Sequence, residues 1–157
     1  VNGKIDAPAR HAARLAAVQA LYQMELTGAG AEEVAEEFIL HRFGEAPADI
    51  EFFKAVVTGV PAHQAEIDQA IAKCLSESWT LARVDSILRA ILRAAGLELV
   101  ARREVPAKVV IDEYVGIAHD FFGGDEPGFV NAALDRMAHV KRAAEFGRPV
   151  PDGELGF

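Results

Sequence analysis

Arg10 and Arg14 stand one helical turn apart in a basic N-terminal stretch. At that spacing two guanidinium groups on a helix reach successive phosphates of a nucleic-acid strand, with His11 beside them. Ordinary solubilising charge is the alternative, and the residue types leave both open. Three rings, Tyr22, Phe122 and Phe129, have the chemistry to stack unpaired bases. Core packing is the commoner fate of any one ring. Phe122 and Phe129 flank the Gly123–Gly128 segment and are the two expected to be partly exposed.

Parts for catalysis are missing. The five histidines, His11, His41, His63, His119 and His139, never fall at i,i+3 or i,i+4 from one another, and none forms the His-Glu-x-x-His pattern of a helical zinc site. Cys74 is the only cysteine and lies in an apolar stripe with Ile71 and Leu75, which suits a reduced core thiol better than a nucleophile. Glu32-Glu33 and Glu36-Glu37 repeat at i,i+4, as a solvated helix face does. Asp112-Glu113 and Asp135 lack the polar cluster a general acid needs. Phosphate-binding loops of the G-x-G-x-x-G or Walker type do not occur, and Gly123-Gly124 reads as a turn. No enzyme and no cofactor is expected.

The elements that position these residues read as helices. Leu15, Val18, Tyr22 and Leu26 recur at spacings of three and four from a start near Asp6 and Pro8, and Thr27-Gly28 with Gly30 suits a stop. A short helix over Glu32–Arg42 sets Val34, Phe38 and His41 on one side. A third runs from Asp49 through Phe52, Phe53, Val56, Val57 and Val60, and Pro61 should kink or split it before Ile67, Ile71 and Cys74 resume the pattern. The clearest stripe is Val84, Ile87, Leu88, Ile91, Leu92, Ala95 and Leu99, ending near Arg103 because Pro106 disfavours helix before it. Residues 107–122 carry two adjacent apolar stripes, the pattern of a central helix packed on several sides. Gly123-Gly124 and Pro127-Gly128 bracket a loop, and a last helix runs from Phe129 to about Ala144. No segment alternates with period two. The expectation is an all-α fold of about seven helices in two packed sub-bundles divided near Ser76–Thr80, forming one domain over 1–145, with a Pro/Gly-rich and disordered tail over 146–157.

The formal charge of −8 argues against nucleic acid, but sign is segregated along the chain. Residues 25–51 carry −7, residues 1–14 carry +2, and residues 83–108, with Arg89, Arg93 and Lys108, carry +3. That pattern allows one face for RNA and another for a basic protein. No run of about 20 apolar residues suggests a membrane span, no apolar signal core opens the chain, and a lone cysteine fits a cytoplasmic protein.

Three segments in one order resemble the NusB family. ARHAARLAAVQALYQMEL (Ala9–Leu26) is similar to the family's basic first helix leading into V-Q-A-L-Y. VDSILRAILRAAGLEL (Val84–Leu99) resembles its I-L-R…E-L helix, and VPAKVVIDEYVGIAHDFFGGDEPGFVNAALD (Val105–Asp135) resembles its V-P…I-N-E…F-G…F-V-N-x-x-L-D signature. The resemblance spans roughly residues 9–140. It implies an all-helical transcription antitermination factor that pairs with NusE, a small-subunit ribosomal protein, and binds boxA RNA to support ribosomal RNA transcription. Other Nus factors and RNA polymerase enter indirectly. On that reading Arg10, His11, Arg14, Tyr22, Phe122 and Phe129 face RNA. An acidic chain meeting a basic ribosomal protein places the partner surface at Asp112, Asp120, Asp125 and Glu126. The chain departs from the family in a thinned arginine run, in I-D-E for I-N-E, and in Pro61. Two alternatives remain: the RNA-binding domain of a ribosomal RNA cytosine methyltransferase, and an adaptor that binds protein only. Exposed apolar residues on the first or last helix leave room for a homodimer.

Overall fold

Alanine decides how the first helix packs. In the computed structural model, which describes residues 7–45, 47–75 and 80–147, α1 (Ala7–Thr27) buries Ala9, Ala13, Ala16, Ala17 and Ala20 together with Val18 and Leu21. Small side chains let neighbouring helices approach closely, so the larger residues are left at the rim. The expected stripe of Leu15, Val18, Tyr22 and Leu26 is therefore corrected: only Val18 is buried, and Leu26 is 62% exposed. Gly28, with φ 76°, ends the helix where the sequence placed the stop.

The chain divides into two compact units, Val1–Ala62 and His63–Phe157. In the first, α1 packs with α2 (Ala31–His41) and α3 (Ile50–Ala62). Phe38 and Phe53 stack with ring centres 5.8 Å apart, and Phe43 meets Phe53 edge-on at 4.9 Å. Val34 and Phe38 are buried as expected, but His41 is exposed. The boundary falls at Ala62 and His63, not in the 76–80 segment, of which residues 76–79 lie outside the described residues. Proline explains the place. Pro61 has no N–H for the helical bond and crowds the preceding turn, so α3 stops one residue later and α4 (Gln64–Ala72) starts afresh after His63.

The second unit is built around α5 (Ser86–Ala101), which packs on α4, α6 (Ala107–Phe121) and α7 (Glu126–Lys141). Every residue from Ala94 to Val100 is buried. The central helix is thus α5, not the 107–122 helix. On α6 the apolar stripes are wide, but Val115 and Phe122 are half-buried and Phe121 is 37% exposed. Asp85 starts α5 by accepting hydrogen bonds from the Ile87 and Leu88 amides at 2.8 and 3.4 Å. Gly96 admits the close approach of α4: a Cβ there would stand 3.0 Å from Ile67 Cγ2.

Two further corrections concern the C-terminal part. Pro127-Gly128 lies inside α7, in its first turn, where a missing N–H leaves no helical bond unmade. α7 ends at Lys141 and not near Ala144, and Ala143–Phe146 form a 3-10 turn after it, with the Phe146 ring stacked 3.9 Å from that of His139. The remainder of the tail, 148–157, and the expected start at Asp6 lie outside the described residues.

That turn carries a buried clasp. Arg142 is 3% exposed, and its five N–H groups meet the carbonyls of Leu99 (2.6 Å), Val105 (2.9 Å), Glu98 (3.0 Å) and Arg102 (3.1 Å) and the carboxylate of Glu145. Glu145 in turn accepts the Ala107 N–H at 2.8 Å. The end of α5 and the start of α6 are therefore both satisfied from one short segment. Replacing Arg142 by Ala takes the guanidinium from four carbonyls, of which those of Glu98 and Arg102 keep a backbone N–H, and should cost about 3–5 kcal/mol in denaturant unfolding, with Arg142→Lys recovering only part because an ammonium cannot span the same fork.

Burial pushes the Glu145 carboxyl up, but the Ala107 amide, the Arg142 hydrogen bond and the charges of Arg142 and Arg103 outweigh it and hold the group below the ordinary glutamate range. A depressed carboxyl stabilises the fold fully at neutral pH, and that stabilisation is lost as pH falls from the ordinary glutamate range through the lowered value. Glu145→Gln should therefore be less stable at neutral pH and show a shallower loss on acidification, measured by thermal unfolding across the acid range.

Candidate nucleic-acid and partner interfaces

The first-helix arginines converge on one ring. Arg10 Nε donates to Asp49 Oδ2 at 3.0 Å, and its guanidinium lies 4.0 Å from the centre of the Phe52 ring. The guanidinium of Arg14 lies 5.1 Å from the same ring. Asp49 is fixed by two backbone bonds: its N–H donates to the Ala9 carbonyl at 3.1 Å, and its Oδ1 accepts the Phe52 N–H at 3.1 Å. One aspartate thus starts α3 and ties it to the arginine face of α1.

This placement alters the picture of a solvent-facing pair. Arg14 is only 3% exposed, and the Arg10 side chain 14%. Both guanidinium groups lie against the Phe52 ring, whose face attracts a weakly hydrated cation, and Arg10 is held further by Asp49. His11 and Tyr22 are half-buried on the same helix. The role of Asp49 and Phe52 was missed from sequence; the Asp-x-x-Phe spacing at the start of a helix was the available signal.

In the second unit a cleft of ≈ 460 Å³ is lined by Arg83, Asp85, Leu88, Asp125, Glu126 and Phe129. It brings together three residues singled out from sequence, Phe129, Asp125 and Glu126, and adds Arg83 and Asp85. Phe129 is half-buried there, and Asp125 is exposed at the start of α7. Glu126 Oε1 is buried with no hydrogen-bond partner among the described residues. Phe122, also half-buried, ends α6 in extended conformation. Asp112 and Asp120 are exposed on α6, outside the cleft lining, and Asp112 pairs with Lys108 at 3.2 Å.

The basic segment 83–108 does not form an open cationic track. Arg89 donates to the carbonyls of Leu81 and Val84 at 3.0 and 2.6 Å, closing the chain before α5. Arg93 forms a two-pronged ion pair with Asp68 at 2.9 and 3.0 Å. Cys74 behaves as expected of a core thiol: its Sγ donates to the Ala70 carbonyl at 3.3 Å, and burial raises its pKa against the charges of Arg136 and Lys141. Among the described residues there is no group of three metal-ligating side chains, and no helix is long and apolar enough to cross a membrane.

The model of the NusB family matches residues 11–139. The chain belongs to the NusB family. The transcription antitermination protein NusB of Maricaulis maris (strain MCS10) is 54% identical over 144 residues, covering 87% of this chain and 90% of that protein. That of Nitrobacter hamburgensis is 51% identical over 146 residues, 88% of this chain and 91% of the relative. Among solved structures, T. maritima NusB superposes with a TM-score of 0.74 at 28% identity, covering 94% of this chain and 97% of that one. A complex of NusB and NusE with dsRNA contains a chain of the same fold, with a TM-score of 0.75 at 24% identity over 84% of this chain and 97% of that one. The family is non-enzymatic, and its function, transcription antitermination, is that of this chain.

Within the family fold the inward-turned arginine has a measurable consequence. Arg14→Ala removes a buried stem and its ring contact, and should lower stability by about 1–3 kcal/mol in urea unfolding. A surface arginine would change it by less than about 0.5 kcal/mol.

Proposed function

We propose that the chain pairs with NusE and that the pair binds boxA RNA, supporting transcription of ribosomal RNA operons. The observation that carries this reading is the cleft at Phe129, where an aromatic ring, Arg83 and the carboxylates of Asp125 and Glu126 share one wall. A ring beside a guanidinium suits a base and its phosphate. Exposed Asp125 suits the donors of a basic protein. The NusB relative solved with NusE and dsRNA supports both partners. Asp112 and Asp120 extend the acidic surface along α6, Phe122 offers a second ring, and Arg10, His11 and Tyr22 serve RNA from α1, with Arg14 buried behind them. Other Nus factors and RNA polymerase join through this complex, in the cytoplasm.

One observation favours a second reading, an adaptor that binds protein without RNA: Arg10 and Arg14 are engaged within their own unit while the whole chain carries −8. A homodimer resting on Leu26 of α1 or Val140 of α7, both exposed, would likewise leave RNA aside. Filter binding with boxA and scrambled RNA, with and without purified NusE, separates these readings. The expected result is a 1:1 complex with NusE that weakens with salt and prefers boxA. Phe129→Ala should cost that complex about 1–3 kcal/mol of RNA affinity with little change in salt dependence. No RNA retention at low salt, with NusE binding intact, would establish the adaptor.

A further inference from the structure

The contact between Arg10 and Asp49 joins a cation read as a phosphate ligand to a fixed carboxylate. We propose that Asp49 is a specificity-determining competitor for the RNA phosphate: its carboxylate neutralises Arg10 and so suppresses binding of RNA irrespective of sequence. The proposal rests on the reading above that Arg10 meets RNA phosphate.

Three observations support it. The pair is short and mostly shielded, 3.0 Å with side chains 14% and 18% exposed, so water and salt screen it less than a surface pair. Asp49 cannot swing away freely, because its amide is bonded to Ala9 and its other carboxylate oxygen starts α3. Arg10 is held equally firmly, with its guanidinium over Phe52 at 4.0 Å. A phosphate reaching Arg10 must displace the carboxylate or bind beside it, and either loses attraction. Sequence-independent binding depends almost wholly on such phosphate contacts, whereas base contacts do not. A muted arginine therefore weakens all RNA alike and leaves discrimination to contacts made elsewhere. This is repulsion used for specificity.

The test uses the full chain, alone and with NusE, binding a short oligouridylate and boxA RNA over a salt series. Asp49→Asn keeps an oxygen for the Phe52 amide and removes the charge. Asp49→Ser gives a second uncharged variant able to start the helix, and thermal unfolding confirms that each is folded. Both should bind oligouridylate about threefold to tenfold more tightly at low salt, with the slope of log K against log salt steeper by up to about 0.7. The boxA preference should narrow by a similar factor. Asp49→Glu, which keeps the charge, should leave the slope as it was. In an Arg10→Ala background, Asp49→Asn should have no effect. If Arg10→Ala weakens binding but neither uncharged variant strengthens it, the competitor role is wrong and the phosphate contact stands. If Asp49→Asn strengthens binding equally without Arg10, the effect is general surface charge and the proposal fails. If Arg10→Ala changes neither affinity nor slope, RNA does not use Arg10 and both the proposal and that part of the functional reading fall.

Discussion

A tight corner between two helices is difficult to bury, and in the second unit Arg142 makes it feasible. The end of α5 leaves carbonyls without helical partners, and Pro106 forbids the chain to continue the helix toward α6. Left dry and unbonded, each carbonyl would cost on the order of 1–3 kcal/mol. A guanidinium offers five donors in one plane, and Arg142 uses them on four carbonyls and Glu145. The corner is closed only because α7 ends at Lys141 and hands the next residue inward. The end of α5, the start of α6 and the end of α7 are held together at that closure.

The same use of arginine recurs throughout the chain. Arg10 and Arg14 lie on Phe52, Arg89 closes the approach to α5, Arg93 answers Asp68, and Arg142 fills the corner. Much of the positive charge is therefore spent inside each unit. Glutamates at 32, 33 and 36 remain exposed on α2. Counting sign along the sequence suggested basic and acidic faces, but such counting cannot see which cations are already engaged. A chain of −8 that turns its arginines inward gains little from long-range steering of RNA. On the functional reading proposed above, recognition then depends on a few close contacts and on help from a basic partner.

Periodicity made the seven helices legible because helix formation is local: stripes at three and four, Gly28 at a stop and Pro61 near a break are all signals within one turn. The readings that failed were non-local. A stripe of large residues on α1 looked like the core because alanine carries no obvious signal, although close packing makes it the buried face. Pro127 looked like a loop residue because proline is acceptable in both a loop and the first helical turn. Nothing near Arg142 in sequence announces carbonyls more than thirty residues away. Of the site, Phe129, Asp125 and Glu126 were found from their types and from the family resemblance. Arg83, Asp85 and Asp49 were missed because their importance lies in what the fold brings beside them.

On the functional reading proposed above, two partners divide the surface at the Phe129 cleft. The cleft opens beside the first turns of α5 and α7, where helix amides favour negative charge. At α5 that preference is already met, since Asp85 accepts the Ile87 and Leu88 amides. At α7 two more carboxylates, Asp125 and Glu126, stand over the first turn. Such a wall repels a phosphate and attracts a cation, so its acidic part favours the basic protein. The Phe129 ring is indifferent to that field, because stacking depends on contact and not on net charge. Arg83 stands within the same lining and can offset the carboxylates for a nucleotide laid on the ring. On the functional reading proposed above, a basic protein seated on the carboxylates would relieve that repulsion and so ease a nucleotide onto the ring.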